Sequence, residues 1–211
     1  MEKTGETHQG MFDLAFFKPI PNLVIMAPKD FKELEQMMEY AISLKKPVVI
    51  RYPRGGETNL KLESKNKIEI GKSEILKNGE DITIVAIGKM VSKSMEIAGE
   101  LQKQNINAEV INARFLKPLD KETIINSIKK TQYVITIEDG TLIGGLGSSI
   151  KELIVDEKLQ DIKIKSFGYP DYFVKHGTVD ELEKLYGIDG KSIIKYIEEN
   201  LKNEEEVCLK K

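Results

Sequence analysis

The stretch Asp81–Asn112, DITIVAIGKMVSKSMEIAGELQKQNINAEVIN, decides the fold class. It opens on Ile82–Ile87, a short apolar run rich in β-branched side chains, which reads as a buried strand. Val91–Gln104 is a longer amphipathic stretch that reads as a helix, and Ala108–Asn112 returns to strand composition. Strand, helix and strand in this order form a βα unit, and such a crossover leaves the two strands parallel in one sheet.

Working outward, the same alternation continues. Tyr133–Ile137 and Ile162–Phe167 read as further strands, and Lys121–Lys129, Gly147–Asp156, Val179–Tyr186 and Lys191–Asn203 as helices. Upstream, Ser73–Leu76 is a strand, and Asn78-Gly79 is a tight-turn signal joining it to the strand at Ile82. The order predicts right-handed crossovers and an α/β three-layer sandwich. Before this block, Glu57–Asn66 is polar and aperiodic and reads as a linker. Met1–Gly56 holds one more unit: a strand at Leu23–Met26, a helix carrying Phe31, Leu34, Met37, Met38, Ala41 and Ile42, and a strand at Pro47–Ile50. Asp30 suits the N-cap of that helix, with Glu33 completing a capping box. One helix between two strands is too little for a domain. Residues 1–56 therefore read as the end of a sheet whose other strands are absent, with apolar edges exposed. Residues 57–66 read as a linker, 67–203 as a complete domain and 204–211 as a frayed tail.

Composition bounds the function. The 211 residues are 40% hydrophobic and 31% charged, enough to bury a core and stay soluble. Lys+Arg 32 against Asp+Glu 34 leaves a net charge of -2, so no global basic field draws in nucleic acid or an anionic membrane. Cys208 is the sole cysteine, which excludes an internal disulfide framework and a cysteine metal site and suits a reducing compartment. The opening MEKTGETHQG has no apolar signal core, and no window approaches ~18 apolar residues. The expectation is a soluble cytoplasmic protein.

Chemistry-bearing residues gather at the ends of the first unit. Gly5-Glu6-Thr7-His8-Gln9-Gly10 sets one of two histidines between glycines. His8 can hydrogen-bond a substrate oxygen or shuttle a proton near neutral pH, or it can be an exposed loop residue. Arg51-Tyr52-Pro53-Arg54-Gly55-Gly56 follows a strand directly, where ligands of open α/β sheets collect. Its two guanidiniums match phosphate oxygens; alternatively they are solvated or paired with acids. Thr141–Ser149 is glycine-rich and leads into a helix, a place able to cradle an anion. It lacks a Walker lysine and the GxGxxG spacing, which favours close helix-on-sheet packing. Glu138 and Asp139 beside it read as caps more readily than as an acid pair, and His176 as structural. No metal-ligand spacing and no nucleophile elbow is present.

The run Gly5–Leu14 resembles the 1-deoxy-D-xylulose-5-phosphate synthase family of transketolase-like, thiamine-diphosphate-dependent enzymes. The likeness continues through Ile20-Pro21-Asn22, Ile25–Pro28 and Arg51–Gly55. It resumes at Ala113–Asp120, at Glu138 with Gly144–Ser148, and at Pro170–Phe173 with His176-Gly177. The resemblance implies that residues 1–56 end a pyrimidine-binding domain and that 67–203 are a transketolase C-terminal domain. It implies an intact homodimeric enzyme that condenses pyruvate with D-glyceraldehyde 3-phosphate, with loss of CO2, toward isoprenoid, thiamine and pyridoxal synthesis. Thiamine diphosphate and Mg2+ belong to that intact enzyme, and their binding residues lie upstream, so this fragment alone is expected to bind neither and to be inactive. His8 matches the family's active-site histidine and Arg54 the residue gripping the aldehyde's phosphate. Thr4 stands where the family usually has Asp, which removes a carboxylate from that position. Two other readings are a subunit of a split transketolase or 2-oxoacid dehydrogenase, and a non-enzymatic dimerisation or regulatory module.

Overall fold

The computed structural model describes residues 10–53, 62 and 67–208, with side chains as far as residue 201. The first part contains α1 (Asp13–Phe17), β1 (Val24–Met26), α2 (Phe31–Leu44) and β2 (Val48–Ile50). The second continues with β3 (Glu74–Lys77), β4 (Ile82–Ala86), α3 (Met90–Gln102), β5 (Ala108–Asn112) and β6 (Phe115–Lys117). It ends with α4 (Lys121–Thr131), β7 (Tyr133–Thr141), α5 (Leu146–Asp156), β8 (Lys163–Tyr169), α6 (Val179–Leu185) and α7 (Gly190–Cys208). Helix α7 thus runs beyond the Asn203 end read from the sequence.

The run Asp81–Asn112 forms the centre of a five-stranded sheet of order β3-β5-β4-β7-β8. β4 is parallel to β5, from Ile82 opposite Ala108 to Ala86 opposite Asn112, and parallel to β7 on its other side. Successive side chains of a strand face opposite ways, and β4 separates its neighbours accordingly. Ile82, Ile84 and Ala86 pack with Val91, Ile97 and Leu101 of α3 and with Ile193 and Ile197 of α7. Val85, with Ile87 just beyond the strand, packs with Ile124 and Ile128 of α4 and Leu146, Ile150 and Leu153 of α5. Thr83 shares the α4 face and hydrogen-bonds Ser127 at 2.6 Å and Thr131 at 2.8 Å, so its hydroxyl is buried with partners. Helices cover both faces, as the three-layer reading expected. Burying each isoleucine or leucine stabilises by about 2 kcal/mol, so packing on the sheet holds these helices more than their propensity does.

The edge strand departs from expectation. β3 does not form a hairpin with β4; it pairs antiparallel with β5, Glu74 opposite Asn112. Asn78 and Gly79 instead carry the chain beneath the start of β5, where Glu80 N and Asp81 N donate to Asn107 O at 3.0 and 3.1 Å. A β-carbon on Gly79 would overlap the Ala108–Glu109 peptide, so this glycine marks a close backbone crossing and not a two-residue turn.

A second sheet has the order β2-β1-β6. β1 is parallel to β2 and antiparallel to β6, a strand contributed by the second part of the chain. β1 therefore has no open edge, contrary to the expectation for the front strands, and β2 and β6 are the terminal strands. Both α1 and β6 went unread in the sequence, being too short for a period to show. Leu14, Leu23, Ile25 and Ala27 join the core on the α4–α5 side of the large sheet, so apolar packing is continuous between the parts. On α2, Asp30 accepts from Glu33 N at 2.7 Å, the expected N-cap. The capping box is not completed. Glu33 accepts from Lys29 N at 2.7 Å and turns its buried carboxylate toward Asn112 at the end of β5. Met37 is buried on α2, whereas Phe31, Met38 and Ile42 of the same apolar set are exposed.

Candidate functional site

His8, Arg54 and Thr4 lie outside the described residues. The segments that lead into the first two are described: Gly10 and Met11 follow His8, and Arg51–Pro53 precede Arg54. Arg51 extends β2, its N–H donating to Met26 O at 2.8 Å. Its largely buried guanidinium reaches across to β7, where Nη1 donates to Asp139 Oδ1 and Nη2 to the Asp139 carbonyl at 3.3 Å. Asp139 Oδ2 lies 3.6 Å from Lys89 Nζ, which lies 3.6 Å from Glu183 Oε1; Glu183 also pairs with Lys93. Burial works to raise the pKa of Asp139, but Arg51 and Lys89 outweigh it and hold the carboxyl below its ordinary range. For Arg51, then, the pairing with acids holds, and it is not a free phosphate ligand.

The other segment meets the same strand. Met11 is buried, and its carbonyl accepts from Thr141 N at 2.9 Å. Gly140 permits this approach, since a β-carbon there would stand 3.2 Å from Met11 O. Phe12 then makes an edge contact with Phe173, ring centroids 5.7 Å apart. The end of β7 thus holds the backbone just after His8 and the side chain three residues before Arg54.

One residue earlier on β7, Glu138 explains the glycine-rich turn. Its carboxylate is buried and accepts from Leu146 N at 2.8 Å and Gly147 N at 2.9 Å, the first turn of α5. Burial pushes its pKa up to about 7, against the pull of those two N–H groups. A β-carbon on Gly145 would overlap this carboxylate, and one on Gly147 would press on Thr136 Oγ1 at 2.9 Å. The anion cradle at this helix start is filled by the chain's own glutamate. Close packing and capping, as the spacing favoured, account for the turn. His176 is exposed in the loop before α6.

A further polar cluster went unread. Arg114, buried and at φ 56, donates from Nε to Glu33 Oε1 at 2.8 Å and from Nη2 to Glu74 Oε2 at 2.7 Å. Asn112 Nδ2 donates to Glu33 at 2.9 Å and Asn112 Oδ1 accepts from Arg114 N at 3.1 Å. It joins α2 to β3 and β5. Nothing in the spacing of these residues signals it, because the partners are as far as 81 positions apart.

Among the described residues no group of three or more His, Cys, Asp or Glu side chains is arranged to hold a metal ion. No described helix is long and apolar enough to cross a membrane.

The mostly parallel large sheet and the strand–helix–strand unit before it recur in a solved transketolase chain, and the chain belongs to the transketolase family. The model of the transketolase C-terminal domain matches residues 71–193, and that of the transketolase pyrimidine-binding domain matches residues 1–57. Within the family it is similar to 1-deoxy-D-xylulose-5-phosphate synthases. That of Halothermothrix orenii is 48% identical over 191 residues, which are 90% of this chain and 30% of the relative. That of Caldanaerobacter subterraneus subsp. tengcongensis is 46% identical over 189 residues, with the same shares. The chain thus spans about a third of the length of these relatives. Among solved structures, a split-gene transketolase in an inactive β4 tetramer superposes with a TM-score of 0.84 at 32% identity, covering 92% of this chain and 63% of that one. A transketolase of Pichia stipitis shares the fold, with a TM-score of 0.71 at 23% identity over 92% of this chain and 27% of its own.

Proposed function

We propose that the chain is the C-terminal portion of a 1-deoxy-D-xylulose-5-phosphate synthase, a thiamine-diphosphate-dependent transferase of the transketolase type. The intact enzyme condenses pyruvate with D-glyceraldehyde 3-phosphate and releases CO2, in a cytoplasmic homodimer that serves isoprenoid, thiamine and pyridoxal synthesis. Thiamine diphosphate and Mg2+ are held by the remainder of the enzyme. His8 hydrogen-bonds substrate oxygens or moves protons, and Arg54 grips the phosphate of the aldehyde. The observation that carries the reading is the convergence at the end of β7. The segment after His8 and the segment before Arg54 are tied to Thr141 and Asp139 of one strand. A histidine and an arginine so delivered suit a substrate with a carbonyl at one end and a phosphate at the other. Residues 1–56 are read as the end of the pyrimidine-binding domain, 57–66 as a linker and 67–203 as the C-terminal domain.

The purified chain, given pyruvate, D-glyceraldehyde 3-phosphate, thiamine diphosphate and Mg2+, is expected to form no product. Supplying the portion that the longer relatives carry upstream is expected to restore turnover, lost again in His8→Ala. Turnover by the chain alone would overturn the reading. The likeness to a split-gene transketolase chain favours one second reading, a subunit of an enzyme divided between two polypeptides. A partner protein carrying the rest of the pyrimidine-binding domain and co-purifying with this chain would support it.

A further inference from the structure

Helix α2 carries apolar side chains on two sides, and the fold uses one of them. At about 100° per residue, Met37 and Leu44 point into the core of the second sheet with Val24, Met26 and Phe115. Tyr40 and Glu33 turn to one flank, where the Tyr40 hydroxyl accepts from Ile70 N at 2.8 Å and Glu33 from Asn112 Nδ2 at 2.9 Å. Leu34, Met38 and Ile42 fall on the opposite flank, over β2. Leu34 is half-buried there, whereas Met38 is 52% and Ile42 82% exposed. β2 presents its outer edge on the same side. Val24 N donates to Pro47 O and Arg51 N to Met26 O, so the main-chain groups of Pro47, Val49 and Arg51 face β1. Those of Val48 and Ile50 alternate with them and face away, and among the described residues no strand lies beyond β2. An edge of this kind beside an apolar flank is a template for another chain.

We infer that this face binds the same face of a second copy of the chain about a two-fold axis. The two β2 strands pair antiparallel, Val48 opposite Ile50 of the other copy, and their outward N–H and C=O groups satisfy one another. A two-fold contact needs one surface complementary to itself, and a strand edge paired antiparallel meets that condition. A second copy also suits the helix. α2 packs on both β1 and β2, so its axis lies about one strand spacing, roughly 5 Å, from the two-fold axis. Edge pairing then sets the two α2 helices about 10 Å apart, a distance at which helices pack, and Met38 and Ile42 fill the groove between them. Specific interfaces bury about 1,200 Å2 or more. A three-residue edge and one helix flank stand at the low end, which places Kd near about 10 µM. The contact depends on neither His8 nor Arg54 and is a property of the chain as it stands.

Sedimentation velocity and light scattering of the purified chain, from about 1 to 200 µM, test it. Expected is a reversible rise in mass from monomer to dimer across that range. Ile42→Glu sets a charge in the groove and should weaken the association at least about tenfold. Val48→Pro removes an outward N–H, leaves the ladder to β1, and should weaken it similarly. Leu185→Glu, at another exposed apolar residue, on α6, should change nothing. Melting curves separate loss of fold from loss of contact, and Ile42→Glu carries the test if Val48→Pro does not fold. A chain that stays monomeric to the top of the range overturns the inference. A dimer untouched by Ile42→Glu uses another surface and overturns it too. If the chain is monomeric and instead binds the portion that its longer relatives carry, with Ile42→Glu blocking that binding, the occupant is that portion and the inference fails.

Discussion

Replacing Arg114 with methionine removes the cation at the centre of the buried cluster between the two parts of the chain. The side chains of Arg114, Glu33 and Glu74 are 1%, 0% and 2% exposed, so water cannot take over the lost contacts. Removing one member of a buried, hydrogen-bonded ion pair costs about 3–5 kcal/mol. Both acids lose their bond to Arg114 here, while Glu33 keeps the buried Lys29 ammonium at 3.9 Å and its bonds from Lys29 N and Asn112. A loss of about 4 kcal/mol is expected, which at about 2–4 °C per kcal/mol lowers Tm by roughly 8–16 °C. Arg114 already sits at φ 56, a conformation methionine shares on the same terms, so the variant isolates the side chain from the backbone. Adding Glu33→Gln and Glu74→Gln to Arg114→Met removes the two carboxylate charges that Arg114 balanced and should regain part of the loss. Denaturant unfolding monitored by circular dichroism measures all three proteins. A single variant within about 1 kcal/mol of the parent, or a triple variant no more stable than the single, refutes the argument.

Two other outcomes follow from the same structure. Glu138 has its pKa raised from 4.5 to about 7, so the folded chain binds its proton more tightly than the unfolded chain. Its contribution is full below about pH 4.5 and is lost as pH rises through about 7, by about 3 kcal/mol at about 1.4 kcal/mol per pH unit. Melting curves between pH 5 and 8 should therefore slope downward more steeply for the parent than for Glu138→Gln, and parallel slopes would contradict it. Gly79→Ala sets a methyl group into the Ala108–Glu109 peptide and should destabilise by about 3 kcal/mol; a neutral melt would show that the crossing relaxes freely.

The central sheet was legible because its inner strands are buried on both faces and its helices are amphipathic, and these patterns are local. Ile82–Ile87 and Val91–Gln104 announce themselves within their own windows. What failed was anything set by a distant partner. Gly79 carries a turn signal whatever its neighbours, and only the approach of β5 shows that it serves a crossing. Glu33 sits at the capping-box position, but Arg114 and Asn112 draw its carboxylate away. Phe115–Lys117 is a strand only because β1 lies beside it. In the site, the sequence singled out the Arg51–Arg54 turn and offered acids as one fate of its guanidiniums. It could not name Asp139, 88 positions away, as the acid that takes Arg51. Glu138 was legible as a cap because its role is local to the turn that follows it.

The antiparallel partner of β1 has a consequence for biogenesis. Ile25 pairs with Lys117, and the ammonium of Lys117 also binds the carbonyls of Lys18 and Ile20, the former 99 positions upstream. On the ribosome the early segment emerges long before this companion is made. Closing so long a loop is entropically costly and slow, so the nascent front is exposed to aggregation or to chaperone capture until synthesis passes Lys117.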